Sequence, residues 1–151
     1  MNTRGEAWVL VQGLLFLAYL FTPRVASWGW PIRVLGWAVG LPVLTVGLIF
    51  VGYGVAALGK SLSPFPRPTT EGTLVTEGIY GCVRHPIYGG LSMAALGFAL
   101  LSGSLGRVLM ALALFGFFAA KSGVEEAWLV ERYPDYPSYQ ARVRRILPGI
   151  W

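Results

Sequence analysis

Val34 to Leu58 reads VLGWAVGLPVLTVGLIFVGYGVAAL, without one charged side chain. A helix needs about 20 apolar residues to cross a bilayer, and this run is long enough. Within it, Gly36 and Gly40 form a small-xxx-small pair that lets a second helix approach closely. Pro42 is expected to kink the helix.

Working outward, three further apolar runs flank it. The first is Ala7 to Phe21, interrupted by Gln12. The third is Ile87 to Leu101, closed by the turn signal Ser102-Gly103-Ser104. The fourth follows Arg107 and stays apolar to Ala120. Its helical pattern continues through Lys121 to Arg132, which outruns a hydrocarbon core of about 30 Å. The last two turns, carrying Glu125 and Glu126, are therefore expected to stand in water.

Composition agrees with a membrane protein. Charged residues make up 13% of the chain, about half the share of a soluble domain, and the mean hydropathy is +0.60. The net charge of +5 comes without a basic stripe interleaved with aromatics, so it does not indicate nucleic acid. One cysteine, Cys82, excludes an intramolecular disulfide and a cysteine-based metal cluster. A single histidine argues against a histidine-rich metal site, so no metal is expected.

For the first run, a signal peptide is the competing reading, with Arg4 before it and Val25-Ala26-Ser27 after it. Glu6 counts against a basic leader. Trp8, Trp28 and Trp30 read as interfacial anchors. With four spans, Arg4, Lys60, Arg67, Arg84, Lys121, Arg132, Arg142, Arg144 and Arg145 share one side. Arg24, Arg33 and Arg107 lie on the other. The positive-inside rule then places both termini in the cytoplasm of a multi-pass protein of the cell inner membrane.

The expected fold is all-α and integral to the membrane. It has about four transmembrane helices plus a short C-terminal amphipathic helix, in a single domain over residues 1–151. Between runs two and three lies a polar connection, Gly59 to Pro86, whose Pro64, Pro66 and Pro68 predict that its first half is extended or polyproline-like, not helical. From Asp135 to Leu147, Arg142, Arg144 and Arg145 alternate with Val143, Ile146 and Leu147, which predicts a segment lying on the membrane surface.

Chemistry concentrates in two places. Arg84-His85-Pro86 opens run three, and proline suits the first turn of a helix. That turn carries Tyr88 and Gly89, and its exposed N–H groups are expected to favour an anion, with Arg84 adding a bidentate donor. The ordinary reading is an arginine snorkelling to lipid phosphate. Glu125 and Glu126 sit near a helix C-terminus, where the dipole disfavours them. They bind a cation, or they form a solvated helix end with Lys121 one turn away to offset Glu125.

Helix three starts where helix four ends, on one side of the membrane. A ligand with a carboxylate, an ammonium and a further cation fits between the two clusters, and S-adenosylmethionine is such a molecule. Tyr80, Tyr88, Tyr133, Tyr136 and Tyr139 offer faces for adenine or a sulfonium, although tyrosines are also ordinary belt residues.

The pattern Leu74-Val75-Thr76-x-Gly78-x-Tyr80-x-x-Val83-Arg84-His85-Pro86-x-Tyr88-x-Gly90 resembles the signature of the isoprenylcysteine carboxyl methyltransferases and their phospholipid methyltransferase relatives. A second block, Glu125-Glu126-x-x-Leu129 with Tyr133, Tyr136, Tyr139, Arg142-Val143 and Pro148, resembles theirs in order and spacing. Two departures are a shorter Tyr133-to-Tyr136 spacing and Pro134 in place of glycine.

The resemblance implies a membrane methyltransferase with S-adenosylmethionine bound by blocks at about 72–90 and 121–148, on the cytosolic face. It implies a hydrophobic acceptor, a carboxylate, amine or thiol, arriving from the lipid bilayer. Carried over residue by residue, Arg84 and Glu126 are catalytic. His85, Tyr88, Gly90, Glu125, Glu126, Tyr136, Tyr139 and Arg142 bind the cofactor. Gly52 and Gly54 resemble a cofactor-site glycine pair of the phospholipid branch. A homo-oligomer is compatible. Two other readings stand: an NADPH-dependent membrane reductase of the sterol-reductase type, marked by a second basic cluster for the 2′-phosphate, and a non-enzymatic scaffold with a closed cytosolic face.

Overall fold

A computed structural model describes residues 5–24, 27–68 and 72–148. Arg4 and the Val25-Ala26 pair of the signal-peptide reading lie outside the described residues. The four apolar runs become four helices: α1 (Glu6–Phe21), α2 (Ile32–Leu58), α3 (Pro86–Ser102) and α4 (Leu105–Arg132). A short α5 (Tyr136–Arg142) follows. Helices α2 and α4 are long and apolar enough to cross a membrane, while α1 and α3 are shorter apolar helices of 16 and 17 residues. Leu10, Leu14 and Leu17 of α1, and Leu35, Val39 and Leu48 of α2, point outward, as lipid-facing side chains do.

Helix α2 runs as one continuous element through Pro42. Its glycine seam meets α3 backbone to backbone. A Cβ on Gly47 would lie 2.6 Å from the Gly90 carbonyl, and one on Gly90 would lie 2.6 Å from the Gly47 carbonyl. Gly36 and Gly40 press on Leu100 and Gly97 along the same seam, so the small-residue pair works as expected. Helix α3 ends at Gly103, whose φ of 64° turns the chain, and the Ser104 side chain then caps α4 by accepting from the Arg107 N–H. Helix α1 belongs to the bundle: Tyr19 Oη donates to the Ala95 carbonyl of α3 at 2.5 Å. Tyr19, Ala95, Leu114 and Phe118 form the apolar core between α1, α3 and α4.

The tail docks over the start of α3. The Arg84 and His85 N–H groups donate to the Arg144 and Arg145 carbonyls at 2.8 and 2.9 Å. Tyr136, Tyr139 and Ile146 are buried beneath it. Burying those three side chains is the physical reason, since a segment lying on the lipid would leave the tyrosines wet. A Cβ on Gly89 would stand 2.7 Å from the Ile146 carbonyl. The start of α3 is thus roofed by protein and is not an open anion site.

Candidate functional site

The α3 start, the α4 end, the end of α2, residues 61–65, 68 and 72–75, and the tail enclose a cavity of about 320 Å³. Pro86 at the first position of α3 fixes the direction of Arg84, His85 and Tyr88. Tyr88 Oη donates to Glu125 Oε2 at 2.8 Å. The Tyr88 ring stacks on His85, with centroids 5.4 Å apart, and on Phe118 at 5.0 Å. His85 lies between the two carboxylates: Nε2 is 3.2 Å from Glu126 Oε1, and Nδ1 is 4.0 Å from Glu125 Oε2.

Glu126 is not in water. It is 3% exposed and gathers four partners. Arg84 Nε sits 2.7 Å from Oε1, His85 shares that oxygen, and Arg145 Nη2 is 2.8 Å from Oε2. Gln140 Nε2 donates to Oε2 at 3.1 Å. Arg84 also donates through Nη1 to the Gln140 carbonyl, at 2.9 Å, and to the Val143 carbonyl. The two charge clusters therefore meet directly, where the sequence predicts a ligand between them. The physical reason is the docked tail, which excludes water and leaves Glu126 to be neutralised by protein.

Of the predicted site residues, Arg84, His85, Tyr88, Glu125, Tyr136 and Tyr139 line the cavity. Glu126 stands behind the wall. Gly54 packs against Ile87 and Pro86, and its carbonyl accepts from Tyr80 Oη at 3.3 Å. Gly90 is consumed by the α2 seam and Gly52 faces open space, so neither reaches the cavity. Arg142 is exposed, and its Nε donates to the Ser138 carbonyl at 3.2 Å, also outside the cavity.

Lys121 and Gln12 were missed as site residues. Lys121 is 1% exposed, and its Nζ donates to Gln12 Oε1 at 2.6 Å and to the Pro64 carbonyl at 2.9 Å. It also lies 5.4 Å from the Tyr88 ring centroid. Two signals were available: a glutamine inside an apolar run, and a lysine one turn before the glutamates on the same helix face.

Four of the five lining tyrosines spend their hydroxyls on protein: Tyr80 on Gly54, Tyr88 on Glu125, Tyr133 on the Gly72 carbonyl and Tyr139 on the Tyr80 carbonyl. Tyr136 Oη is buried without a hydrogen-bond partner. Burial raises the Tyr139 pKa to about 12, against the opposing pull of Arg84. Burial, with the nearby carboxylates, pushes Tyr80 and Tyr136 up further. These hydroxyls are neutral donors at physiological pH.

An apolar bundle with a buried ionic network and a polar-rimmed cavity at one end is an all-α integral membrane fold whose cavity is of small-molecule size. A family model described as phospholipid methyltransferase matches residues 35–136, and the chain belongs to that family. It is 42% identical over 114 residues to protein-S-isoprenylcysteine O-methyltransferase of Schizosaccharomyces pombe, covering 73% of this chain and 48% of the relative. It is 31% identical over 116 residues to a probable protein-S-isoprenylcysteine O-methyltransferase of Oryza sativa subsp. indica, covering 74% and 61%. The chain thus spans about half to three-fifths of the length of these relatives. A further relative, 28% identical over 110 residues, is the cobalt-zinc-cadmium resistance protein CzcN of Cupriavidus metallidurans, covering 72% and 50%. The solved structure of the eukaryotic intramembrane Ras methyltransferase, isoprenylcysteine carboxyl methyltransferase, superposes with a TM-score of 0.70 at 22% identity, covering 96% of this chain and 52% of that one. The two share a fold.

Proposed function

We propose that the chain is an S-adenosylmethionine-dependent membrane methyltransferase acting on a hydrophobic carboxylate, amine or thiol. The site faces the cytoplasm, and the four helices span the membrane with both termini on that side. The observation that carries this reading is the cavity's composition. Glu125, His85, Lys121 and the unpartnered Tyr136 hydroxyl stand with the apolar Val55, Leu58, Ile87 and Leu91. The names of the relatives point the same way.

The residues fit the cofactor. Glu125, oriented by Tyr88, is a carboxylate for its ammonium, and the buried Tyr136 hydroxyl is an unused donor for its polar edge. The tyrosine faces suit adenine and a sulfonium. When bound, the cofactor supplies an electrophilic methyl group. The protein's own contribution is positioning and exclusion of water. Arg84 and Glu126 hold the tail closed, and Lys121 ties Gln12 of α1 and the Pro64 carbonyl to α4. A carboxylate or thiolate acceptor needs no base. An amine needs one, and His85, between two carboxylates, is placed to take the proton.

A closed end would have favoured a scaffold, and the cavity argues against one. The test is calorimetry on detergent-solubilised protein with S-adenosylhomocysteine and, separately, NADPH. Heat with the first supports the proposal. Heat with NADPH alone transfers the case to the reductase reading.

A further inference from the structure

A second hollow of about 330 Å³ lies against Arg84 and the tail. Arg84, Gln140, Ala141, Arg142, Val143, Arg144 and Arg145 line it. Among the described residues, then, four arginines and no acidic side chain form its wall. Glu126 is the carboxylate paired with Arg84 and Arg145, from beneath. One negative charge under four positive ones leaves the hollow strongly cationic. Arg142 and Arg144 are exposed. Arginines lining a concave surface match a phosphate, which guanidinium groups bind through paired N–H groups.

Depth selects the source of that phosphate. Helix α4 has 28 residues, which is about 42 Å of helix against a hydrocarbon core of about 30 Å. Its final turns, and the ring of side chains around Glu126, therefore sit at the level of lipid headgroups. We propose that this hollow binds the headgroup of an anionic phospholipid, and that the bound lipid holds the tail shut over the cavity. The coupling is covalent and short. Arg144 and Arg145 line the hollow, and their carbonyls accept from the N–H groups of Arg84 and His85, the residues that wall the cavity. A lipid that fixes the arginines fixes the cavity wall.

The full chain is reconstituted in nanodiscs of phosphatidylcholine with increasing phosphatidylglycerol. Native mass spectrometry reads the lipid retained, and hydrogen exchange reads the Arg84 and His85 amides. Neither readout involves methyl transfer, so the result is separate from the proposed activity. Phosphatidylglycerol should be retained in preference, and the two amides should exchange more slowly as it rises. Arg144→Gln, an exposed side chain outside the cavity, should weaken that preference roughly fivefold, the effect of about 1 kcal/mol per basic residue at an anionic surface. No preference, or an unchanged preference in Arg144→Gln, overturns the proposal. Equal protection by millimolar inorganic phosphate in pure phosphatidylcholine overturns the lipid source. Displacement of the lipid by NADPH overturns it in favour of a nucleotide phosphate.

Discussion

Arg84 Nε lies 2.7 Å from Glu126 Oε1, and the two side chains are only 8% and 4% exposed. This contact joins α3 to α4 and, through the remaining Arg84 hydrogen bonds, joins both to the tail. Neither residue stands at an open aqueous margin. Removing the buried Glu126 takes away the carboxylate that Arg84 and Arg145 share, and breaking a buried ion pair costs about 3–5 kcal/mol. Glu126→Ala should therefore destabilise the whole protein, beyond any effect on a ligand. Arg84→Ala should cost less, since Glu126 keeps Arg145, His85 and Gln140, and a double-mutant cycle should still show a coupling energy above zero. Thermal unfolding in detergent checks this. Two variants that unfold like wild type would mean the pair is not structural.

Tyr136→Phe separates recognition from folding. The hydroxyl it deletes has no partner in the protein, so the unfolding midpoint should hold or rise. Cofactor affinity should fall about 2–12-fold, the range of one hydrogen bond of 0.5–1.5 kcal/mol. Tyr139→Phe is the control. Its hydroxyl holds the Tyr80 carbonyl, so it should lower stability by about 1 kcal/mol. Calorimetry beside thermal unfolding distinguishes the two patterns.

Much of the fold was legible because membrane helices announce themselves by length and charge depletion. The run boundaries at Phe21, Leu58 and Arg132 match the helix ends, and Pro86 marked the start of α3. The particular contacts of the tail were not legible. Arg142, Arg144 and Arg145 are as compatible with a lipid surface as with a protein one, and only the burial of Ile146 decides between them. Lys121 was hidden for a similar reason. Its partners, Gln12 and Pro64, are remote in sequence and no local pattern links them. Gly90 is ambiguous because one residue type serves both close ligand approach and close helix approach.

That ambiguity gives a direct test. Gly90→Ala places a methyl 2.6 Å from the Gly47 carbonyl, a backbone atom that cannot swing aside. It should destabilise the bundle by about 1–3 kcal/mol, the usual range for overpacking. Gly52→Ala meets nothing within 4 Å. It should be neutral or stabilising by up to about 1 kcal/mol, since alanine is the better helix former. A loss of cofactor affinity in Gly52→Ala, with stability kept, would return that glycine to the site.

The cavity's apolar side makes a prediction about the acceptor. Val55 and Leu58 of α2, with Ile87 and Leu91 of α3, line it beneath the polar rim. A substrate whose reacting group meets His85 must place its remainder against these side chains. Alkyl chains should therefore gain from burial, up to about 0.8 kcal/mol for each CH₂ removed from water. In kcat/KM that is up to roughly fourfold per carbon, until the apolar wall is covered. The measurement is a series of thioether carboxylates, and a parallel series of amines, of increasing chain length, assayed by methyl transfer in detergent. A plateau after several carbons marks the length of the wall. Leu91→Ser should lower the slope for long chains while sparing the shortest acceptor. A flat series, or a preference for the shortest member, would show that the apolar wall does not receive the acceptor and would point to a small water-soluble thiol.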